Sequence, residues 1–454
     1  MVFVFLAYIF FCISVFCLFY VLIFIFLEAQ FKLLRNNLHI LIPIYCIICW
    51  AIYYVLIVNF LLSDYVAYDF TNYYYCGERV LKKPNDLYRK NIEYGYRYGY
   101  KYLPIFAVIV GVPLYLIPSI EIAYKVFYVI NVFIATLFVI LFNKLLYFMK
   151  IENKGHRFLF LFITTNGWLI LQQFRHNQTK FWIVVMLLYI LIRELKVKEF
   201  RIEKNLKYYV INYNIFLLVI GFFPYFIFYF LIYIFHDIHR KELISKKNLK
   251  HYGIIIISFI AQNFLFIVSP DLIFDFIEMY QIEQSRKGFI LDQFYLLYFH
   301  KYFDTLPKGY LVTILVTLDI ILYCIVLFLT IYKKLNLIEK FGFLSLSILV
   351  LNYVAYRIAV VLLPLICLLF ISFLRKSEER MEFIKKNRIL LIGLIAIFGI
   401  YVIPHENKYE YPYFEGITLI FLFLLIIIVL SVVILYAQKY SIKRKHQVNK
   451  PIKI

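Results

Sequence analysis

Acidic residues are scarce in this chain. Its 454 residues include 27 Asp and Glu against 48 Lys and Arg, and charged residues make up only 17%, where a soluble domain carries about 25%. With 12 Pro and 14 Gly, the chain has too few breakers for a disordered linker or a fibrous repeat, and it shows no internal repeat, low-complexity tract or separate soluble domain. Of its seven cysteines, Cys12, Cys17, Cys46, Cys49, Cys324 and Cys367 lie inside apolar runs and only Cys76 sits in a polar stretch, which excludes a disulfide framework. The Cys46–Cys49 spacing lacks the βαβ setting of a redox motif, so these thiols are expected to pack as small hydrophobes. Residues 2–27 have no basic leader and no small-residue cleavage site, and they outlast a signal-peptide core. They are expected to span a membrane.

What is abundant is apolar: 64% hydrophobic residues, 21% aromatic, mean hydropathy +0.81. The fold class this predicts is an all-α polytopic membrane protein of about 13 transmembrane helices, each of about 20 residues. Charge sets the topology. Residues 28–37, 143–157, 193–207, 236–251, 332–340, 375–388 and 438–454 together hold 32 Lys and Arg and 11 Asp and Glu, whereas the remainder holds 16 of each sign. The whole formal charge of +21 therefore sits in seven segments that belong on the cytoplasmic side. Basic residues parcelled between spans suit anionic headgroups and argue against a nucleic-acid partner.

One path joins these segments with the N-terminus outside and the C-terminus inside. Spans are expected at 2–27, 38–62, 121–142, 158–171, 181–192, two short ones within 208–235, 252–268, 310–331, 341–356, 358–374, 389–403 and 417–436. The pair within 208–235 follows from Gly221-Phe222-Phe223-Pro224, a helix breaker. Two large external segments remain, 63–120 and 269–309. In the first, the apolar stretch 104–117 is punctuated by Pro104 and Pro113 and is too short to cross, so it is expected to lie as an interfacial helix on the outer surface. The domain order is an N-terminal span (1–37), a core (38–374), and two further spans with a basic tail (375–454).

The first external segment holds the candidate chemistry. Between Tyr65 and Tyr102 it carries eleven tyrosines and one phenylalanine. An interfacial aromatic belt accounts for aromatics near span ends, but not for Asp64 and Asp69 directly after an exiting span. The order of an exiting span, Asp69-Phe70 with tyrosines, Asn85-Asp86-Leu87-Tyr88, then Tyr100-Lys101-Tyr102-Leu103-Pro104 opening a short helix resembles glycosyltransferase family 87 of the GT-C superfamily. The resemblance extends through Arg175-His176-Asn177-Gln178, where that family has a Gly-Gln-x-Asn element, to Tyr356-Arg357. It implies a GT-C-like core that transfers a mannose-like hexose from a polyprenyl-phosphate donor to a lipid or glycan acceptor at the external face of the plasma membrane, with inversion. It further implies Asp69 as general base, with Asp64 as the alternative, and Tyr73, Tyr102, Arg175, His176, Asn177, Gln178 and Arg357 as substrate-binding residues. Two departures stand out: the family's Lys-Pro in the broken hairpin is Phe223-Pro224 here, and the Gly of Gly-Gln-x-Asn is absent.

The chemistry has its own logic. A phosphate leaving group needs cations rather than a strong acid, and the attacking hydroxyl needs a carboxylate to take its proton. Arg175, His176, Lys180 and Arg357 stand at span boundaries, where a lipid phosphate would sit, although Arg175 and Lys180 equally suit snorkelling to headgroups. No cofactor and no metal are expected, since Asp64 and Asp69 lack the added oxygen ligands a hard cation requires. Asn177-Gln178-Thr179 matches a glycosylation sequon by pattern only. Asp319, an acid within a span, motivates the alternative of a secondary transporter or lipid flippase, against which the absence of repeated topology counts.

Overall fold

The computed structural model describes residues 68–88, 100–151, 173–174, 176–237, 246–284, 335–351 and 359–376, with isolated positions at 164 and between 317 and 330. Among the described residues the regular elements are helices, with no strand. The expected spans at 2–27, 38–62, 389–403 and 417–436 lie outside them, as do Asp64, Arg175, Asp319 and Arg357.

Helix α1, Tyr68–Lys82, follows the position of the second expected span, and a 3-10 turn, Pro84–Asp86, comes after it. Helix α2, Pro104–Tyr115, opens on a proline whose missing N–H costs nothing in a first turn, and it contains a π turn at Ala107–Gly111. Helix α3, Ile120–Phe148, is capped by Ser119, whose Oγ accepts the Ile122 N–H at 3.4 Å. Helix α4 is Lys180–Phe200. Both α3 and α4 stop at a basic residue with positive φ, Lys150 (56°) and Arg201 (50°). There the following N–H groups reach back, Ile151 to Leu146 O at 3.2 Å and Ile202 to Val197 O at 3.1 Å, closing Schellman turns.

The hairpin expected within 208–235 is broken where the sequence places the break: α5, Leu206–Phe222, a 3-10 turn at Pro224–Phe226, then α6, Ile227–Asp237. Helix α7, Lys246–Gln262, is followed by a short turn, Leu265–Val268, and α8, Asp271–Gln284, which occupies the start of the second expected external segment. Helices α9, Leu337–Leu351, and α10, Ala359–Lys376, pack antiparallel. A capping box starts α9, with Asn336 Oδ1 accepting the Glu339 N–H at 2.9 Å and Glu339 Oε2 accepting the Asn336 N–H at 3.1 Å. Ser372, near the end of α10, donates to Glu339 Oε1 at 2.8 Å.

Helix α4 runs eight residues beyond its expected end at 192. The charges there stay helical because they are satisfied. Glu194 accepts the hydroxyls of Tyr208 (2.6 Å) and Tyr233 (2.7 Å) and pairs with Lys204 at 2.9 Å, which ties α4 to both arms of the broken hairpin.

Helices α1 and α2 cross with their backbones in contact. A Cβ on Gly77 would lie 2.1 Å from Gly111 O, and one on Gly111 would lie 2.5 Å from Cys76 Sγ. Between these helices and α5 sits a packed aromatic core: Tyr73, Tyr74, Tyr88, Tyr100, Tyr102 and Phe106 are all buried. The described tyrosines of the first external segment are thus mainly interior, not an exposed belt. Apolar surface faces outward elsewhere. Ile122, Val126, Val129, Phe133, Leu137 and Ile140 of α3 are exposed along one side, as are Ile256, Ile257, Phe259 and Ile260 of α7. Among the described residues, α3 alone is long and apolar enough to cross a membrane by length and composition; Pro104–Tyr115, Leu206–Phe222, Ile227–His236 and Val360–Leu369 are shorter apolar helices.

Candidate functional site

The site forms where the start of α1, the segment before α2 and the turn before α4 meet. Phe70, in the first turn of α1, is fully buried and packs edge-on against Tyr124 of α3 at 5.1 Å. That anchor sets the neighbouring Asp69, half-buried, in the first turn of α1, where the helix dipole favours a negative charge.

Opposite stands the turn 176–179. Asn177 adopts the left-handed conformation, φ 50°, and is fully buried. Its Nδ2 donates to Tyr124 O at 2.9 Å, and its Oδ1 accepts from Asn131 Nδ2 at 2.7 Å. Asn131 Oδ1 in turn accepts the Trp182 indole N–H at 2.7 Å. One buried amide pair therefore locks the turn to α3 and to the start of α4, and both ends of the Asn177 amide are engaged. Its sequon is inaccessible for modification in this fold.

The locked turn aims Gln178 at the carboxylate. Gln178 Nε2 donates to Asp69 Oδ2, and Gln178 Oε1 accepts from Lys180 Nζ. Lys180 itself is buried at the start of α4. Lys101 faces the same carboxylate from the segment before α2, with His176 beyond it. Burial pushes the Asp69 carboxyl upward, but the charge of Lys101, the Gln178 hydrogen bond, and the charges of Lys180 and His176 outweigh it and hold the group below the usual aspartate range.

The floor is aromatic. The Tyr73 and Tyr102 hydroxyls are 3.3 Å apart, and Tyr73 also meets Thr179. Burial and the neighbouring Asp69 charge push the Tyr73 phenol well up, so it stays protonated. The Tyr102 ring stacks on Phe106 at 4.5 Å. The backbone that carries Lys101 and Tyr102 is pinned by Tyr88 Oη donating to Tyr102 O and Tyr100 Oη donating to Leu103 O, both at 2.9 Å. Leu103 N–H donates to Gly221 O at 3.1 Å, and Phe222 packs against Phe106 (4.9 Å) and Trp182 (5.9 Å). The broken hairpin thus abuts the site.

Of the residues singled out from the sequence, Asp69, Tyr73, Tyr102, His176, Asn177 and Gln178 come together. Asp64, Arg175 and Arg357 lie outside the described residues. Asn177 is a scaffold residue whose amide is spent on α3, and the packed rings of Tyr73 and Tyr102 contribute hydroxyls rather than open faces for a sugar. Lys180, a cation candidate in the sequence, joins this cluster; Lys101 and Thr179 lay within the sequence motifs without a site role of their own, and Asn131 and Trp182 were not singled out. The signal for Lys101 was present: a single cation within Tyr100-Lys101-Tyr102-Leu103-Pro104. Among the described residues no cluster of three His, Cys, Asp or Glu is placed to hold a metal.

No protein-family model matches the chain, and no curated protein matches it significantly. The chemistry of the site therefore rests on its own residues. Among the described residues it gathers one carboxylate and two lysines, groups able to accept a proton and to attract an anion.

Proposed function

We propose that this protein is a membrane glycosyltransferase of GT-C type, with about 13 transmembrane helices and its site at the external face of the plasma membrane. It transfers a mannose-like hexose from a polyprenyl-phosphate donor to a hydroxyl of a lipid or glycan acceptor. The observation that carries this reading is Asp69, an aspartate kept ionised between Lys101 and Lys180 beside a bed of tyrosine hydroxyls. The outward apolar faces of α3 and α7 support embedding in lipid, since a soluble protein rarely exposes contiguous apolar stripes of this extent.

In the reaction, the acceptor oxygen attacks the anomeric carbon as the bond from that carbon to the phosphate oxygen breaks. The acceptor proton passes to Asp69, and the departing polyprenyl phosphate is held by Lys101 and Lys180. A single displacement inverts the anomeric centre. A carboxylate with a lowered pKa is a weak base, which suits a reaction whose leaving group departs readily and whose proton moves late. The two lysines replace the lysine that the resembled family carries before its hairpin proline.

The test is a screen of the purified full-length protein against polyprenyl-phosphate sugars and nucleotide sugars. Transfer from a polyprenyl-phosphate hexose is expected, and Asp69→Asn should lower turnover by about 10²–10⁴-fold with donor binding retained. Transfer from nucleotide sugars alone rejects the mechanism. If Asp64→Asn abolishes transfer and Asp69→Asn does not, the base is Asp64.

A further inference from the structure

The hydrogen bonds of Gln178 are arranged in one direction. Its amide nitrogen gives a proton to Asp69 Oδ2, and its carbonyl takes one from the Lys180 ammonium. Among the side chains, only an amide of this length offers a donor and an acceptor on one rigid plane between an anion and a cation. Glutamate in its place would repel Asp69, and an apolar residue would leave the half-buried carboxylate without the Gln178 hydrogen bond. The turn that presents Gln178 is fixed independently, through Asn177 and Asn131 and through the Gln178 N–H donating to Gln173 O at 2.9 Å. The amide thus cannot drift with the carboxylate. It defines where the carboxylate sits. The amide bond falls on Oδ2 of the carboxylate.

We infer that Gln178 is a positioning residue: it clamps Oδ2 of Asp69, couples that carboxylate to Lys180, and so turns Oδ1 toward the incoming hydroxyl. The inference rests on the proposed function for the role of Oδ1, whereas the clamp itself is independent of the reaction. The groups facing Asp69 are Lys101 from the segment before α2, His176 from the turn, Lys180 from α4 and Tyr73 from its own helix. Removing Gln178 leaves the cations in place and takes away the amide hydrogen bond to the carboxylate.

The experiment is an infrared pH titration of the full-length protein in nanodiscs, following the protonated-carboxyl stretch assigned to Asp69 by its loss in Asp69→Asn. In the wild type this band is expected only below the ordinary aspartate range, about pH 4. Gln178→Met should move its appearance upward by about one pH unit, and Gln178→Glu should move it further, because two adjacent carboxylates share a proton. Lys180→Met, which keeps the amide–carboxylate bond, should also move it upward, and it carries the test if Gln178→Met fails to fold. Turnover with a short-chain polyprenyl-phosphate mannose, measured near pH 8 where Asp69 is ionised in every variant, should still be lower by about tenfold to hundredfold in Gln178→Met, from misplacement alone. An Asp69 band unmoved in Gln178→Met and Lys180→Met overturns the clamp. A moved band with full turnover near pH 8 overturns the positioning role. A moved band with Asp69→Asn as active as wild type leaves the clamp standing and overturns Asp69 as the base, whereas a moved band with no transfer by the wild type leaves the clamp standing and removes the glycosyltransferase reading instead.

Discussion

Asp69 is held ionised by the charges and the amide around it. Its folded-state pKa lies below its unfolded value, so the ionised form favours the folded state at any pH above the unfolded value, about 3.9. That contribution is lost as pH falls through the lowered pKa. Activity should accordingly hold through neutral pH and decline only below about pH 4, the reverse of a base poised near neutrality. Lys101 is the largest opponent of burial at this carboxyl, and in the proposed reaction it holds the departing phosphate. Lys101→Met is therefore expected to do two things: shift the acid limb of the rate upward, and weaken the donor by about tenfold to hundredfold, the worth of one charged hydrogen bond. A rate profile over pH at several donor concentrations separates these effects. Asp69 was singled out in the sequence through the family resemblance, whose first-loop aspartate position it occupies, with Asp64 as the alternative. Lys101 was not, because a lone lysine among tyrosines reads equally as an interfacial anchor. The role of Asn177 was hidden for a different reason: its partner Asn131 lies 46 residues away, beyond any local pattern.

At the scale of elements, the decisive contact is the crossing of α1 and α2. Two glycines let the helices touch at the backbone, which brings Tyr73 and Asp69 on one helix close to Tyr102 and Phe106 at the start of the other. A methyl group at Gly77 would meet the Gly111 carbonyl, which cannot rotate away. Gly77→Ala is expected to destabilise the protein by about 1–3 kcal/mol through overpacking. Gly253, in α7, has nothing within 4 Å of its added Cβ, so Gly253→Ala should be neutral or stabilising by about 0.5–1 kcal/mol. Thermal unfolding in detergent compares the two, and equal melting temperatures would contradict the crossing. The helix starting at Pro104 and the break at Phe223-Pro224 were legible, since proline acts locally. The crossing was not, because neither glycine lies in a pattern that names the other. The aromatic core was half-legible: its composition was plain, but a belt and an interior use the same tyrosines, and only packing distinguishes them.

For the whole molecule, the sequence made the all-helical class plain through its apolar content and the segregation of its basic residues. The number of spans is a matter of charge bookkeeping along the chain, and it predicts opposite sides for the two ends of the α3–α4 region. Glu121, exposed in the first turn of α3, belongs outside. Glu203, exposed in the link between α4 and α5, belongs inside. In a cysteine-free background, Glu121→Cys should react with an impermeant maleimide added to intact cells, and Glu203→Cys only after permeabilisation. Reversed labelling, with Glu203→Cys reached in intact cells and Glu121→Cys only after permeabilisation, would mean that α2 crosses the membrane and that the proposed path is inverted beyond it.

The bond from Leu103 N–H to Gly221 O bears on the order of assembly. As the chain leaves the ribosome, Leu103 emerges more than one hundred residues before its partner. Until α5 arrives, the Lys101–Phe106 segment lacks both that acceptor and the Phe222 ring that covers Phe106. The geometry of the proposed site is therefore completed only once α5 has been made. A nascent chain whose later helices are delayed would leave its tyrosine-rich segment uncovered and open to proteases and chaperones until α5 packs against it.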